Sequence, residues 1–308
     1  MNSTPPKICV VGSLNMDLVV NCPYLPQPGE TITADCWSQI CGGKGANQAV
    51  AAANAGGSVA MIGRVGEDEF GQQMIQNLQS SGVHPDGIQS TTDLPSGIAI
   101  IGVDASGQNS IMAVPGANGG LSQDDIAQSA ELIANSDTLL LQLEVPMPTV
   151  LAAMKVARQN NTTIILDPAP APESVPEEFF QVDLICPNET EAASLTNQQV
   201  TNITQAESAA RALHQRGAAK VVITLGDQGS LFFDGKAPHQ IAAFPTLAVD
   251  TTAAGDAFAG ALAVHWHETG DLETALKFAS AAGAIAASRH GAQPSLPMRA
   301  EVERLANS

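Results

Sequence analysis

The sequence contains few aromatic residues. They make up 4% of the chain, while hydrophobic residues of all kinds make up 44%. Most of the apolar content is therefore Ala, Val, Ile and Leu, which suits helices packed closely on a sheet. Low-complexity runs are absent, and this argues against a disordered chain. At 308 residues, the chain is long enough for one large α/β domain or two small ones.

Basic residues are also scarce. The chain has 13 Lys and Arg against 31 Asp and Glu, which gives a formal net charge of -18. A nucleic-acid-binding protein needs a cationic surface to displace counterions from phosphates, and this sequence has no Lys/Arg cluster. We therefore expect no nucleic-acid partner. A polyanionic small ligand would require the few cations and free backbone N–H groups to be concentrated at its site.

Paired cysteines and long apolar runs are missing as well. The five cysteines are scattered and form no Cys-x-x-Cys pair, which argues against disulfide and zinc frameworks. The first residues lack the basic and apolar regions of a signal peptide, and the apolar runs are too short to span a membrane. We therefore expect a cytoplasmic location and no membrane partner.

Short apolar runs alternate with helical patterns along most of the chain. Runs at 8–11, 59–62, 138–143, 163–166, 184–186 and 220–224 predict buried strands, and the patterns between them predict helices. This alternation predicts a three-layer, Rossmann-like α/β fold with a mostly parallel sheet flanked by helices. We expect a single domain over residues 1–308.

Two segments, at about 18–41 and 96–115, break this rhythm. They contain apolar or β-prone runs at 18–20, 30–33, 97–103 and 110–114, separated by turns rich in Pro, Gly or Asp. We expect them to form hairpins of a small inserted β-sheet, which could be a lid over a cleft or a dimer surface. Elsewhere, Ser122 and Thr204 each precede an acidic residue by three positions and predict helix caps.

The run 42–47, Gly-Gly-Lys-Gly-Ala-Asn, precedes an Ala-rich helix. It is not a P-loop, because Gly45 follows Lys44 where a P-loop requires Ser or Thr. Two interpretations remain open. The glycines could let the backbone approach a polar ligand contacted by Lys44 and Asn47, or they could form only a tight turn between a strand and a helix.

Asn15 and Asp17 follow the first predicted strand at alternate positions, which places both side chains on one face. Ligands of parallel α/β sheets bind beyond the carboxyl ends of the strands. An amide beside a carboxylate is suited to hold vicinal hydroxyl groups. The alternative is a solvated turn, in which Asn and Asp are common.

The run 250–256, Asp-Thr-Thr-Ala-Ala-Gly-Asp, opens a long predicted helix. Small residues leave backbone N–H groups free at a helix N-terminus, which favours an anion. Such a terminus can stabilise the charge that develops during phosphoryl transfer. Asp256 could take the proton of an attacking hydroxyl. The alternative is that Asp256 only caps the helix.

Two further segments carry weaker patterns. Gly226 and Gly229 follow the strand at 220–224 and suit a tight turn near a nucleotide. Asn188, Glu189 and Glu191 could order Mg²⁺-bound water near phosphates, or they could simply begin a helix.

Together, these motifs resemble the ribokinase-type (PfkB) carbohydrate kinase family. The similarity extends from Val10 to Pro297, and the combination is far more specific than any single part. The motifs that carry it lie at residues 12–17, 42–49, 143–144, 187–191, 224–226, 250–256 and 291–295.

The resemblance implies ATP-dependent transfer of a phosphoryl group to O5 of ribose, which gives ribose 5-phosphate. It implies that Asp256 is the catalytic base and that Ala253, Ala254 and Gly255 form an anion hole beside it. The implied cofactors are Mg²⁺ on the phosphates of ATP and a monovalent cation, usually K⁺. The implied assembly is a homodimer through the small sheets.

The resemblance also implies a set of contacts for each ligand. The implied ribose contacts are Asn15, Met16, Asp17, Gly43, Lys44, Gly45, Ala46, Asn47, Glu144 and Asp256. The implied nucleotide contacts are Asn188, Thr224, Leu225, Gly226, Asp227, Gln228, Gly229, Gly255, Asp256 and Ser280. The implied ligands of the monovalent cation, many of them through backbone carbonyls, are Asp250, Thr252, Ala286, Arg289, Gly291 and Ser295.

Two positions depart from the family pattern. Ala253 stands where the family often has Gly. Because Ala retains the N–H group, function should survive unless φ at this position is positive. Ser280 stands where a larger polar residue can occur. This change affects the contact with the nucleotide base and leaves the phosphate chemistry alone.

Several other functions remain as alternatives. Within the family, a fructokinase, a ketodeoxygluconate kinase or a nucleoside kinase would share these motifs. A nicotinamide dehydrogenase is disfavoured, because no Gly-x-Gly-x-x-Gly follows the first strand. A non-catalytic sugar or nucleotide sensor is disfavoured by the presence of Asp256.

Overall fold

The computed structural model describes residues 4–172 and 174–308. In those residues the chain forms thirteen β-strands and ten α-helices. The strands are β1 (Lys7–Val11), β2 (Asn15–Asn21), β3 (Cys36–Gly42), β4 (Ser58–Gly66), β5 (Val83–Thr91), β6 (Gly97–Val103), β7 (Asn109–Val114), β8 (Thr138–Leu141), β9 (Thr163–Leu166), β10 (Leu184–Ile185), β11 (Val221–Thr224), β12 (Ser230–Phe233) and β13 (Pro238–Ile241). The helices are α1 (Lys44–Asn54), α2 (Glu69–Ser80), α3 (Gln123–Gln128), α4 (Ala130–Ala134), α5 (Met147–Asn160), α6 (Glu189–Thr196), α7 (Ile203–Gln215), α8 (Ala254–Thr269), α9 (Leu272–Ala287) and α10 (Arg299–Ala306).

Nine of the described strands form a large sheet in the order β13-β12-β11-β10-β9-β8-β1-β4-β5. The strands from β11 to β5 are parallel, and β12 and β13 add an antiparallel edge. Successive residues of a strand point to opposite faces. Ile8 and Val10 of β1 accordingly pack into one apolar core, and Cys9 and Val11 pack into a second core on the other face. The predicted three-layer α/β architecture is confirmed.

Small residues bring the helices close to one another on the first face. The helices α8 and α9 bury a succession of alanines there, including Ala259, Ala263, Ala275 and Ala279. Because an alanine projects only a methyl group, two helices lined with alanines can approach closely. The long Ala-rich helix α8 is thereby packed against its neighbours, with its N-terminus near the ends of the parallel strands.

A second, smaller sheet has the strand order β3-β2-β6-β7. The strand β2 pairs antiparallel with β3 and parallel with β6, and β7 pairs antiparallel with β6. The strands fall in the two segments that interrupt the strand–helix alternation. The predicted strand at 30–33 is wrong. Glu30 closes a turn, in which its carboxylate accepts from the Gln27 N–H at 2.9 Å, and the strand begins only at Cys36.

The apolar pattern does not predict β5, β12 or β13. The strand β5 contains Pro85 and Gly87, and β13 begins at Pro238, so neither reads as an uninterrupted strand. Both lie towards an edge of the large sheet, where such residues are tolerated.

One predicted helix cap is confirmed and the other is wrong. Ser122 and Asp125 form a capping box at the start of α3. At α7, the cap is Asn202, whose side chain accepts from the Gln205 N–H, and Thr204 lies inside the helix. Among the described helices, none combines the length and the apolar character that a membrane crossing requires.

Candidate active site

A cavity of about 480 Å³ lies between the two sheets, where the parallel strands of the large sheet end. The large sheet and its connections contribute Glu144, Asp167, Ala169, Cys186, Asn188, Glu191 and Thr224 to its wall. The small sheet contributes Asn15, Asp17, Ala99, Ile101, Asn109, Ile111 and Ala113. The starts of α1 and α8 contribute Gly43, Lys44, Asn47, Thr251, Thr252, Ala253, Gly255, Asp256, Phe258 and Ala259. Elements that are distant in the sequence therefore share one cavity.

The turn before α1 needs glycine at position 43. Gly43 has φ +88°, and a Cβ there would lie 2.7 Å from the backbone nitrogen of Asn15. The turn is tied to the strand ends by Glu144, which accepts from the Lys44 N–H at 3.1 Å and from the Ser13 hydroxyl at 2.5 Å. The run 42–47 is thus a tight turn and also a wall of the cavity.

Asn15 and Asp17 lie on β2 and face the cavity together, as their alternate spacing predicts. The side-chain amide of the buried Asn118 donates to the Asn15 Oδ1 at 2.8 Å and to the Leu14 carbonyl oxygen at 2.9 Å. The Asn118 Oδ1 accepts from the Leu14 N–H at 2.9 Å. Because its oxygen is bound by Asn118, Asn15 keeps its NH₂ group for another partner.

The N-terminus of α8 is open to the cavity. Ala253 precedes the helix with φ +61°, so the positive φ that would strain an alanine is present. In the described chain, the N–H groups of Gly255 and Asp256 donate no hydrogen bond to another backbone group. A Cβ on Gly255 would meet only open space. The helix therefore presents free N–H groups to a ligand, at an alanine whose backbone is strained.

The carboxylate of Asp256 lies in the first turn of α8 and is 4% exposed. The Asn47 amide donates to its Oδ2 at 2.9 Å, and the Gln48 amide donates to its Oδ1 at 3.0 Å. Burial raises the pKa of Asp256, and the positive charge of Lys44 and the two amide donors oppose that rise. A buried carboxylate with a raised pKa is suited to exchange a proton.

Five carboxylates and a single cation line this cavity. The carboxylates belong to Asp17, Asp167, Asp256, Glu144 and Glu191, and in the described chain Lys44 is the sole Lys or Arg that lines the cavity. Burial and the neighbouring negative charges raise the pKa of Asp17 to about 7.

Asp167 and Lys44 show the same electrostatic balance. Burial, opposed mainly by Lys44, raises the pKa of Asp167 to about 8. Burial alone would lower the pKa of Lys44, but the surrounding carboxylates, Asp256 first among them, raise it. Cations are not concentrated at the site as expected, whereas free backbone N–H groups are present at the start of α8.

A second cavity, of about 700 Å³, adjoins the first. The two share Asn188, Thr224, Thr251, Gly255 and Phe258. The rest of its wall consists of Glu189, Gly226, Asp227, Gly229, Ala243, Phe244, Pro245, Thr246, Ala248, Ala254, Ser280, Gly283, Ala284 and Ala287. Beyond the shared residues its wall is largely apolar. The free N–H groups of α8 lie where the two cavities meet.

The residues predicted to bind a monovalent cation lie beside the start of α8. Asp250 accepts from the Thr252 N–H and from the Gly291 N–H, each at 2.9 Å. Burial alone would raise the pKa of Asp250, but these hydrogen bonds hold it below its ordinary value. Two members use their side chains elsewhere: Arg289 pairs with Glu301, and the Ser295 hydroxyl donates to a backbone oxygen.

Metal ligands of other kinds are not clustered in the described chain. No group of three or more His, Cys, Asp or Glu side chains in residues 4–172 and 174–308 is arranged to hold a metal ion. Ala286 forms part of the same segment as Arg289, through the Arg289 N–H that donates to its carbonyl oxygen at 3.0 Å.

Some residues of the predicted site do not line either cavity. Among the predicted sugar contacts these are Met16, Gly45 and Ala46, and among the predicted nucleotide contacts they are Leu225 and Gln228. Met16 and Leu225 are buried in the apolar cores, so their side chains are occupied by packing.

The motifs also leave out residues that the structure brings to the site. Asp167 directly follows β9, and the rule that strand ends carry the ligand site would have found it. Gln48 and Asn118 act through other residues, and no spacing in the sequence indicates them.

Comparison with known proteins supports a kinase site. Residues 5–299 match the family described as pfkB family carbohydrate kinase. A ribokinase from Haemophilus influenzae is 41% identical over 295 residues, which is 96% of each protein. A bifunctional ribokinase/ribose-5-phosphate isomerase A from Fructilactobacillus sanfranciscensis is 40% identical over 304 residues, which is 98% of this chain and 56% of that protein.

The fold is shared with a solved structure of a related enzyme. The structure of Arabidopsis thaliana ribokinase complexed with ribose and ATP superposes with a TM-score of 0.90 and is 36% identical. The superposition covers 99% of this chain and 100% of that one. With the match to the family over nearly the whole chain, these similarities show that this chain belongs to the pfkB family of carbohydrate kinases.

Proposed function

We propose that this pfkB-family kinase is an ATP-dependent ribokinase, which transfers the γ-phosphoryl group of ATP to O5 of D-ribose. The observation that carries the proposal is the place of Asp256. Its buried carboxylate lines the first cavity next to Gly255, which lines both cavities, at the start of a helix with free N–H groups. The relatives named ribokinase support ribose and ATP as the two substrates.

The sugar would occupy the first cavity, between the two sheets. Asp17 and Asn15 offer an acceptor and a donor on one face of β2, which suits neighbouring hydroxyl groups. Lys44 and Asn47 face them from α1. The carboxylate of Glu144 accepts from the backbone N–H of Lys44 in the turn before α1. Glu144 would therefore contribute to sugar binding mainly by shaping this wall of the cavity.

The chemistry would take place at the junction of the cavities. Asp256 would accept the proton of the O5 hydroxyl as the oxygen attacks the γ-phosphorus atom and the bond from that atom to the bridging oxygen of ADP breaks, which releases ADP. The N–H groups of Gly255 and Asp256 would donate to the oxygens of the transferred group, at a helix N-terminus that favours negative charge. Ala253 and Ala254 would set the backbone geometry of this anion hole. Positioning and charge stabilisation account for most of the catalysis in phosphoryl transfer.

ATP would lie in the second cavity, with its phosphates at the shared wall. The turn from Thr224 to Gly229 and the side chain of Ser280 line this cavity. Since Lys44 is the sole cationic side chain in the described walls of both cavities, the protein offers little positive charge to ATP. Mg²⁺ would supply that charge on the phosphates, and Asn188 and Glu191 would order its water ligands.

A monovalent cation would bind beside the anion hole. The residues around Asp250 fit such an ion, because they offer an ionised carboxylate and backbone carbonyl oxygens, which are hard ligands. Asp250, Thr252, Ala286, Gly291 and Ser295 would supply oxygens, while Arg289, paired with Glu301, would contribute through its backbone. The ion would hold the segment before α8 in place.

The chain would form a single domain in which the small sheet serves as a lid. Closing over the first cavity, the lid would exclude water and limit hydrolysis of ATP. The lid also carries exposed apolar side chains that do not line the cavity: Trp37 is 62% exposed and Met112 61%. A second copy of the chain covering these side chains would form a homodimer. All five cysteines are free, which suits a cytoplasmic location.

A coupled assay of ADP release with a panel of sugars tests this function. We expect turnover with D-ribose to exceed turnover with D-fructose, 2-keto-3-deoxygluconate and adenosine by at least about 100-fold in kcat/KM, because unpaired polar groups reject analogues strongly. A preference for one of the other substrates would replace ribokinase by that activity. No ADP above the background rate with any of them would point to a sensor.

The dimer is tested separately by sedimentation. We expect wild-type protein to sediment as a dimer and the Met112→Glu variant to sediment as a monomer, because a buried unpaired charge disrupts an apolar interface. The matched control, Leu247→Glu, alters a side chain that is 84% exposed outside the small sheet and should leave the dimer intact. A monomeric wild type would contradict the dimer alone.

A further inference from the structure

A chain of buried side-chain amides contacts Asp256, and its two members, Gln48 and Gln142, line neither cavity. The Gln48 Nε2 lies 3.0 Å from the Asp256 Oδ1 and 2.7 Å from the Asp167 Oδ2. The Gln48 Oε1 accepts from the Gln142 Nε2 at 2.5 Å. Gln48 and Gln142 are both fully buried, so water does not compete for these contacts. The amide of Gln48 therefore has all of its hydrogen-bonding groups engaged.

The orientation of this amide follows from its partners. An NH₂ group has two hydrogens to donate, and it lies beside one carboxyl oxygen of Asp256 and one of Asp167. Turning the amide over would place its oxygen against these carboxyl oxygens. Gln142 holds it from the other side, and its own Oε1 is left without a partner in the described chain. Gln48 thus spans two carboxylates in one defined orientation.

The backbone of β1 leaves room for this arrangement. A Cβ on Gly12, just after β1, would lie 2.1 Å from the Gln142 Oε1. Any other residue at position 12 would therefore displace Gln142. The glycine, the two glutamines and the two carboxylates fit together as a unit.

We propose that Gln48 is a positioning residue that fixes the carboxylate of Asp256 for the transfer reaction, with Asp167 and Gln142 fixing Gln48 in turn. This inference rests on the proposed function, in which Asp256 is the base. Asn47 donates to one carboxylate oxygen and Gln48 to the other, so the plane of the carboxylate is set by two amides. The lone pairs that these amides leave free are the ones available to the substrate hydroxyl.

Gln48 also acts on the ionisation of Asp256. Donors to a carboxylate favour its ionised form, so the loss of Gln48 should raise the pKa of Asp256. The other ionisable groups facing Asp256 are Lys44 on α1, Glu144 after β8, Asp167 after β9, Glu191 on α6 and Asp17 on β2. Asp167 would lose the same donor and become more easily protonated, which would weaken its repulsion of Asp256 and oppose the expected rise.

The test removes this opposing effect by working in an Asp167→Asn background. Gln48→Met keeps the length of the side chain and removes its donors. Comparing Gln48→Met/Asp167→Asn with Asp167→Asn, we expect kcat to fall about 10- to 100-fold, as for a lost hydrogen bond to a charged group. The acid limb of the pH profile of kcat/KM should move to higher pH by about one unit, and the Kd for ribose should stay within about threefold.

Gln142→Met is the matched second variant. It leaves the contact between Gln48 and Asp256 in place and removes only the hydrogen bond from Gln142 to Gln48. On a logarithmic scale, the fall in kcat and the shift of the acid limb should each be about a third as large as for Gln48→Met. It also keeps the proposal testable if Gln48→Met fails to fold. A purely structural role predicts a lower melting temperature for both variants with an unchanged pH profile, and that result would overturn the proposal.

A carboxyl ¹³C NMR titration makes the test independent of turnover. The Asp256 resonance should titrate at higher pH in the double variant than in Asp167→Asn, whether or not the protein phosphorylates ribose. An inactive wild type with this shift would contradict the proposed function and retain the role of Gln48. An active wild type without the shift would contradict the role of Gln48 alone.

Discussion

The large sheet and the small sheet meet at one cavity but are buried to different degrees. Every residue of β8 and β12 is buried, whereas every residue of β7 is exposed. The large sheet has helices on both faces, which supply two apolar cores. The small sheet leaves side chains such as Trp37 and Met112 largely in solvent. One wall of the cavity is therefore rigid and the other belongs to a sheet with an exposed strand.

The division of the site follows this difference. Asp256 and the free N–H groups of α8 belong to the rigid side, where a displacement of 1 Å would matter most to a reaction that depends on positioning. Asn15 and Asp17 belong to the small sheet, whose movement could admit and enclose a sugar. Chemistry should therefore respond to changes on the first side, and affinity to changes on the second.

The largest expected effect is on the rigid side. Asp256→Asn should lower kcat by about 10²- to 10⁴-fold, because the amide cannot accept the proton, while ribose still binds in calorimetry. Asp271→Asn is a matched control, since Asp271 caps α9 and lies outside both cavities. It should retain wild-type turnover. If Asp256→Asn is nearly as active as wild type, Asp256 is only a helix cap.

A change on the small sheet should act mainly on affinity. Asp17→Asn should raise the KM for ribose about 10- to 100-fold with a smaller change in kcat, because an acceptor for a sugar hydroxyl is lost. Asp35→Asn makes the same chemical change on an exposed part of the chain outside the cavity and should leave KM unaltered. If Asp17→Asn lowers kcat by as large a factor as it raises KM, the small sheet contributes to the chemical step as well as to affinity.

The pH dependence of stability should also differ between the sides. Burial raises the pKa of Asp167 from its ordinary value of 3.8 to about 8, so the folded protein holds this proton more tightly than the unfolded chain. This proton therefore contributes to the free energy of unfolding in full below about pH 4, and the contribution is lost as the pH rises through 8.

Urea unfolding between pH 4 and 9 measures this effect. The free energy of unfolding of Asp167→Asn relative to wild type should grow with pH, by at most about 1.4 kcal/mol per pH unit. For Asp17→Asn the corresponding increase in relative free energy of unfolding should end at a lower pH, because the pKa of Asp17 is raised only to about 7. If the difference in free energy of unfolding between Asp167→Asn and wild type does not change with pH, the carboxyl group of Asp167 is not held protonated in the fold.

The smallest expected effect concerns the residue that precedes α8. Ala253 has φ +61°, which strains an alanine but not a glycine. Ala253→Gly should therefore raise the free energy of unfolding by about 1 kcal/mol, as measured by urea unfolding, with less than about a twofold change in kcat. Ala254→Gly, one residue into α8, should lower it by about 0.5–1 kcal/mol. A loss of stability in both variants would argue against strain at Ala253.

Much of the fold follows from patterns that lie within short stretches of the chain. The strands of the centre of the large sheet are short apolar runs, and α1, α2, α8 and α9 have clear helical patterns. Edge strands are harder to predict, because β5 and β13 contain Pro or Gly and are stabilised by a neighbouring strand. The segment before β3 shows the same limit, since the turn closed by Glu30 competes with the strand tendency of residues 31–33.

The sequence by itself determined the α/β class, the small second sheet and the placing of Asp256 at the start of a long helix. Each of these depends on composition and periodicity, which act through neighbours in the chain. Only the tertiary structure decided that Ala253 has a positive φ and that five carboxylates share one cavity with Lys44. It also decided that Gln48 spans Asp167 and Asp256, which are 89 residues apart in the sequence. The physical reason is that such contacts depend on where separate strands and helices end in space, and the pattern of residues within one short segment does not determine its distance from another segment.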